Sequence, residues 1–181
     1  ISKTADDVGN KHIKNFSFTS HEIGLLFGNV QSGKTGQMFG IMCKAADLGF
    51  PVFILLTTDN VVLQQQTLDR VKSDLEGFCI CGENDARLFT DNSLIEPAII
   101  VLKKNVRILK LWANILNSTG FMKGNPLFVI DDEADAASLN TLVNRDRQSS
   151  INKYLDIIKN GASSSLYLQV TGTPQAIFLQ T

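Results

Sequence analysis

I-G-L-L-F-G-N-V-Q-S-G-K-T, residues 23 to 35, decides how this chain folds. The run from Ile23 to Phe27 is apolar throughout, as expected of a central parallel strand covered on both faces. It breaks at once into a Gly-containing turn. Residues 34 to 48 then place Met38, Phe39, Ile41, Met42, Ala45 and Leu48 at helical spacing, and Gly49 with Pro51 supplies a stop. Gly36 and Gly40 share one face of that helix, where close approach to a sheet would explain both. Strand, turn and helix in this order announce a βα unit.

Similar units continue outward from it. P-V-F-I-L-L at 51 to 56 reads as a strand, and Asp59 or Asn60 can cap a helix with Val61, Leu68, Val71 and Leu75 inward. Residues 76 to 92 are polar and Gly-containing and read as an insertion on the sheet edge. A-I-I-V-L at 98 to 102 is a strand. Residues 105 to 117 form a helix with Val106, Leu109, Trp112, Ala113 and Leu116 on one face. L-F-V-I at 127 to 130, a helix near 150 to 159 and L-Y-L-Q-V at 166 to 170 complete an α/β domain with a mainly parallel sheet and helices on both faces. Residues 1 to 22 read as a lead-in segment and 23 to 181 as one domain.

At 181 residues the chain suits one well-buried core. Its 17 Lys and Arg against 18 Asp and Glu leave a net charge of -1, so no global positive field advertises nucleic acid. No apolar run approaches the roughly 18 residues of a membrane helix. Three cysteines and two histidines build neither a disulfide framework nor a Cys/His metal set, which fits a reduced, cytoplasmic setting. Cys79 and Cys81 read as an ordinary strand edge or loop. Opening at Ile1 without a signal-peptide pattern, the chain looks like a piece of something longer.

G-N-V-Q-S-G-K-T, residues 28 to 35, is a full G-x-x-x-x-G-K-[ST] phosphate loop. Gly28 and Gly33 let backbone N–H groups, those of Gln31 and Ser32 among them, turn toward phosphate oxygens, and the following helix offers its positive end to the same anion. Lys34 reaches the β- and γ-phosphates of a nucleotide and the Thr35 hydroxyl coordinates magnesium. A turn that merely needs glycines would explain Gly28 and Gly33, but not Lys34 followed by Thr35.

F-V-I-D-D-E-A-D, residues 128 to 135, runs an apolar strand into a cluster of acids. Carboxylates at a strand's carboxyl end stand where an open α/β sheet binds its ligand. Asp132 is assigned to the metal and Glu133 to the attacking water, with Asp131 the competing metal ligand. An acidic helix N-terminus is the plain alternative. T-G-T-P at 171 to 174 follows the last strand, where hydroxyls can bond acids on a neighbouring strand end.

Taken together, V-Q-S-G-K-T (30 to 35), K-A-A-D-L-G (44 to 49), Q-Q-T-L-D-R (65 to 70), D-D-E-A-D-A-A-S-L-N-T (131 to 141) and T-G-T-P-Q-A (171 to 176) resemble the first RecA-like domain of superfamily 2 helicases. They resemble more closely the Z-one domain, a helicase-like ATPase of bacterial restriction and defence systems. The resemblance spans nearly the whole chain from Gly28. It implies a RecA-like P-loop NTPase that uses ATP and magnesium to move on double-stranded DNA, alongside a nuclease domain or subunit, in the bacterial cytoplasm. It implies that Lys34 and Thr35 bind phosphate and magnesium, that Asp132 and Glu133 carry metal and water, and that Asp135, Thr171 and Thr173 couple hydrolysis to movement. Gly172 departs from the usual Ala.

Thr57 and Thr58 follow the second strand, where similar helicases contact the phosphate backbone, and Lys103 with Lys104 follow another; these are the candidate nucleic-acid contacts. In such motors a second RecA-like domain supplies the arginine that stabilises the transferring phosphoryl group, a contribution of about 10³ to 10⁵ in rate. This stretch alone is therefore expected to bind nucleotide and turn it over poorly. The alternative function is a nucleotide-gated interaction module without strand movement. A GTPase is disfavoured because N-K-Y-L at 152 to 155 lacks the acid of a guanine-reading element.

Overall fold

The computed structural model describes residues 7–8, 10, 13–27, 34–132 and 142–171; of Phe27, Lys34 and residues 142–145 only the backbone is described. Among the described residues six strands alternate with helices: β1 (His21–Phe27), α1 (Lys34–Asp47), β2 (Val52–Thr57), α2 (Val61–Asp74), β3 (Cys79–Cys81), α3 (Ala86–Asn92), β4 (Ala98–Lys103), α4 (Val106–Thr119), β5 (Pro126–Asp132), α5 (Leu142–Asn160) and β6 (Ser164–Thr171). They form one six-stranded sheet in the order β1-β6-β5-β2-β4-β3. Every pairing is parallel, so all carboxyl ends share one edge.

Period-2 alternation sorts the strand side chains into two cores. On one face Phe53, Leu55, Ile99, Val101, Phe128, Ile130, Leu166, Leu168 and Val170 meet Met38, Ile41 and Met42 of α1 and Leu68 and Val71 of α2. On the other Val52, Ile54, Leu56, Ile100, Leu102, Val129 and Tyr167 meet Trp112 and Leu116 of α4 and Ile151 and Leu155 of α5. The near-continuous apolar reading of β2, β4 and β5 follows from this double coverage. Among the described residues no helix is long and apolar enough to cross a membrane.

Several local expectations need correction. Among the described residues β1 is an edge strand, not a central one: there it pairs with β6 alone, and Ile23 is 71% exposed. Gly36 is exposed and a Cβ there would meet nothing within 4 Å, so close packing does not explain it. Val61 faces solvent, and Gln64 takes the buried position in α2, donating from Nε2 to the Val101 carbonyl at 3.2 Å. Asn60, rather than Asp59, caps that helix through Val62 N and Leu63 N. Within the lead-in segment Ile13 and Phe16 are buried in the α1 core, with the Phe16 ring 5.3 Å from that of Phe50. The stretch from 76 to 92 lies at the sheet edge as expected, as the short β3 followed by α3.

Candidate functional site

The phosphate-loop sequence falls between two described elements. β1 ends at Phe27 and α1 opens at Lys34. Strand before and helix after is the context in which such a loop cradles phosphate. Gly28, Gln31, Ser32 and Gly33 lie outside the described residues, as does the Lys34 side chain; Thr35, in the first turn of α1, is half-buried.

The acids sit on β5, separated from β1 by β6 alone. Phe27 registers with Thr171 of β6, and Asp132 with its neighbour Val170. The three strand ends are therefore level, and β1 and β5 lie about 10 Å apart, two interstrand spacings. Thr171 stands between them, fully buried at the last position of β6.

Alternation separates the two described acids. Asp132 follows Phe128 and Ile130 and is set on the α1 face, half-buried. Asp131 follows Leu127 and Val129 onto the opposite face, where both its oxygens are engaged. Lys104 Nζ lies 2.8 Å from Oδ1, and the Tyr167 hydroxyl donates to Oδ2 at 2.7 Å. Burial first, and the Asp131 carboxylate second, push the Tyr167 hydroxyl far above its ordinary pKa of 10.0, so it keeps the proton it donates. Glu133, Asp135 and Thr173 lie outside the described residues.

The same edge carries the other candidate contacts. Thr57 is buried, with Oγ1 3.2 Å from the Thr58 carbonyl, while Thr58 is half-buried. Both lysines turn to internal partners: Lys104 to Asp131, and Lys103 to Glu83, with Nζ 3.6 Å from Oε2. Glu83 also accepts from Lys103 N at 3.0 Å, and its carbonyl takes the Trp112 indole N–H at 3.0 Å. Beyond Thr58, Asp59 accepts from Asn105 Nδ2 and ion-pairs with Arg147 of α5, joining the β2 loop to α4 and α5.

Sequence reading missed these ion pairs because their members lie far apart along the chain. One signal was legible: an acid at the inward position after Val129 requires a buried partner. Among the described residues no group of three or more His, Cys, Asp or Glu gathers to hold a metal. Magnesium held by one or two carboxylates plus phosphate oxygens needs no such cage.

No family model matches the chain, and no curated protein does. Solved structures do match its fold. A nuclease-deletion mutant of the Type ISP restriction-modification enzyme LlaGI, in complex with a DNA substrate mimic, superposes with a TM-score of 0.61 at 15% identity over 96% of this chain. The Pyrococcus furiosus Hef helicase domain does so with a TM-score of 0.56 at 17% identity, also over 96%. The chain spans 17% of the first and 34% of the second. Its fold is accordingly the RecA-like fold of helicase domains, a parallel α/β sheet with helices on both faces.

Proposed function

We propose that this chain is the ATP-binding lobe of a helicase-like DNA translocase associated with a restriction or defence nuclease, of the Z-one type its motifs resemble. The observation that carries the reading is the placement of Asp132: level with the end of β1, one strand removed from it, and on the sheet face covered by α1. A nucleotide bound at the N-terminus of α1 would have this carboxylate on its own side of the sheet. The LlaGI and Hef likenesses support the reading at the level of fold.

Hard oxygen donors in the first turn of α1 and at the end of β5 suit magnesium, and Thr35 and Asp132 would hold it. When bound with ATP, magnesium neutralises charge on the β- and γ-phosphates. The chain's own residues do the rest. The 28 to 33 backbone and Lys34 bind the phosphates, and Glu133 orients water. Asp135 and Thr173 carry the coupling, while Thr171, level with both strand ends, follows Tyr167 onto the face opposite Asp132. At the end of β2 Thr58, half-buried, is the candidate contact to duplex DNA, whereas Thr57 is buried with its hydroxyl turned to the Thr58 carbonyl and does not face a ligand. Lys103 and Lys104, given their internal partners, serve there chiefly by holding the edge in shape.

Equilibrium titration with a fluorescent ATP analogue tests the binding step. Saturable, magnesium-dependent binding that Lys34→Ala removes is expected. Binding that survives the substitution, or none by the wild-type chain, would overturn the reading. With a second RecA-like domain present, DNA-stimulated hydrolysis lost with Lys34→Ala would separate a motor from a nucleotide-gated module.

A further inference from the structure

Lys104 occupies a singular place on the ligand edge. It lies one residue beyond β4, which does not adjoin the acid strand: β2 runs between β4 and β5. Its main-chain N–H donates to the Thr57 carbonyl at 2.9 Å, tying it to the end of β2. Its side chain then crosses β2 to reach β5, where Nζ sits 2.8 Å from Asp131 Oδ1 and 3.4 Å from the Asp132 carbonyl oxygen. Tyr167 of β6 completes the arrangement from the other flank, donating to Asp131 Oδ2 at 2.7 Å. Ends of β4, β2 and β5 and the body of β6 are thus joined through the main chain and ammonium of Lys104 and one carboxylate.

We propose that Lys104 is a positioning residue for the Asp132 carboxylate, setting its aim toward the metal–nucleotide site from the opposite face of the sheet. Consecutive strand residues point to opposite faces, so a residue can be oriented through its neighbour without being touched on its own working side. Asp132 is held on both sides in this way. The preceding residue is anchored through its side chain, and the carbonyl of Asp132 itself receives the weaker Lys104 contact. The pair is mostly buried, with side chains 15% and 8% exposed, so solvent screens it little. An ion pair of this kind need not add stability to justify its place; geometric definition of an adjacent functional group is a use that fits it.

The inference rests on the nucleotide site proposed above, and magnesium dependence separates the two. Binding of a fluorescent ATP analogue is titrated with magnesium, and again in chelator, for the wild-type chain, Lys104→Met, Lys104→Arg and Tyr167→Phe. For Lys104→Met the half-saturating magnesium concentration should rise about tenfold, the ratio expected when a supporting contact to a metal ligand is lost. Metal-free nucleotide affinity should stay near wild type. Lys104→Arg, which keeps a donor for the carboxylate, should recover much of the shift, and Tyr167→Phe should move it in the same direction by less. A general loosening of the fold would instead weaken binding with and without metal alike, which overturns the proposal. An unchanged magnesium midpoint in Lys104→Met overturns it too, while leaving the nucleotide site intact. Should Lys104→Met fail to fold, an unchanged midpoint in Tyr167→Phe decides against it. Wild-type binding indifferent to magnesium would remove the reading of the site and this proposal together.

Discussion

Asp131 and Asp132 are adjacent in sequence and lie on opposite faces of the sheet: the first is locked between Lys104 and Tyr167, the second is on the side of α1. The pleat alone separates them. On the proposed function the first serves architecture and the second the ligand, and their order along the strand, not their chemistry, separates the two.

Exchanging each for a neutral residue should therefore give different failures. Asp131→Ala leaves the Lys104 ammonium without its carboxylate in a mostly buried setting, and should cost about 3 kcal/mol or more in urea denaturation. Asp132→Asn, which keeps the size of the side chain, should cost less stability than Asp131→Ala and abolish the magnesium dependence of nucleotide binding. Equal stability losses in the two variants would contradict the assignment of faces.

Cap chemistry around the Thr58 loop can be read the same way. Asn60→Ala removes the acceptor for Val62 N and Leu63 N and should cost about 1 kcal/mol, measured by thermal unfolding. Asn60→Asp, which keeps the acceptor, should cost far less.

Trp112 is fully buried, edge-on to Phe89 with ring centroids 5.8 Å apart, and its N–H is satisfied by the Glu83 carbonyl. Trp112→Phe keeps most of the volume but leaves that carbonyl unpaired, while Trp112→Ala also opens a cavity. The first should cost about 1–3 kcal/mol and the second about 3–5 kcal/mol, both read from chemical denaturation.

Alkaline pH should weaken the fold. Burial, followed by the neighbouring Cys79, raises the Cys81 thiol far above 9.0, and burial with Asp131 raises Tyr167 above 10.0. Folded values above the unfolded ones mean that the unfolded chain releases these protons first. Their contribution is intact below the unfolded values and is lost as pH climbs beyond 9.0 and then 10.0 toward the folded ones. Urea midpoints should fall across that window, and Tyr167→Phe should remove the later part of the decline. A midpoint flat through it would contradict the burial of both groups.

Much of the fold was legible because local pattern and global architecture agree. Doubly covered strands such as Phe53–Leu56 and Ile99–Leu102 must be apolar at every position, and α4 displays Leu109, Trp112, Ala113 and Leu116 at the spacing of one buried face. Misreadings fell where that link is broken. Ile23 reads as interior although its strand lies on an edge among the described residues, since an apolar run carries no record of which strands flank it. Gln64 looks like a surface residue until the Val101 carbonyl is placed beside it.

By itself, the sequence determined the parallel α/β architecture, the strand-to-helix setting of the phosphate-loop residues and the acids at the end of β5, because periodicity and short-range spacing specify these directly. Tertiary structure alone decided that β6 intervenes between β1 and β5, that Asp132 rather than Asp131 shares the face of α1, and that Lys104 reaches across β2 to the acid strand. Those relationships join residues distant along the chain. Strand order, register and pleat bring them together, and no local stretch of sequence encodes any of the three.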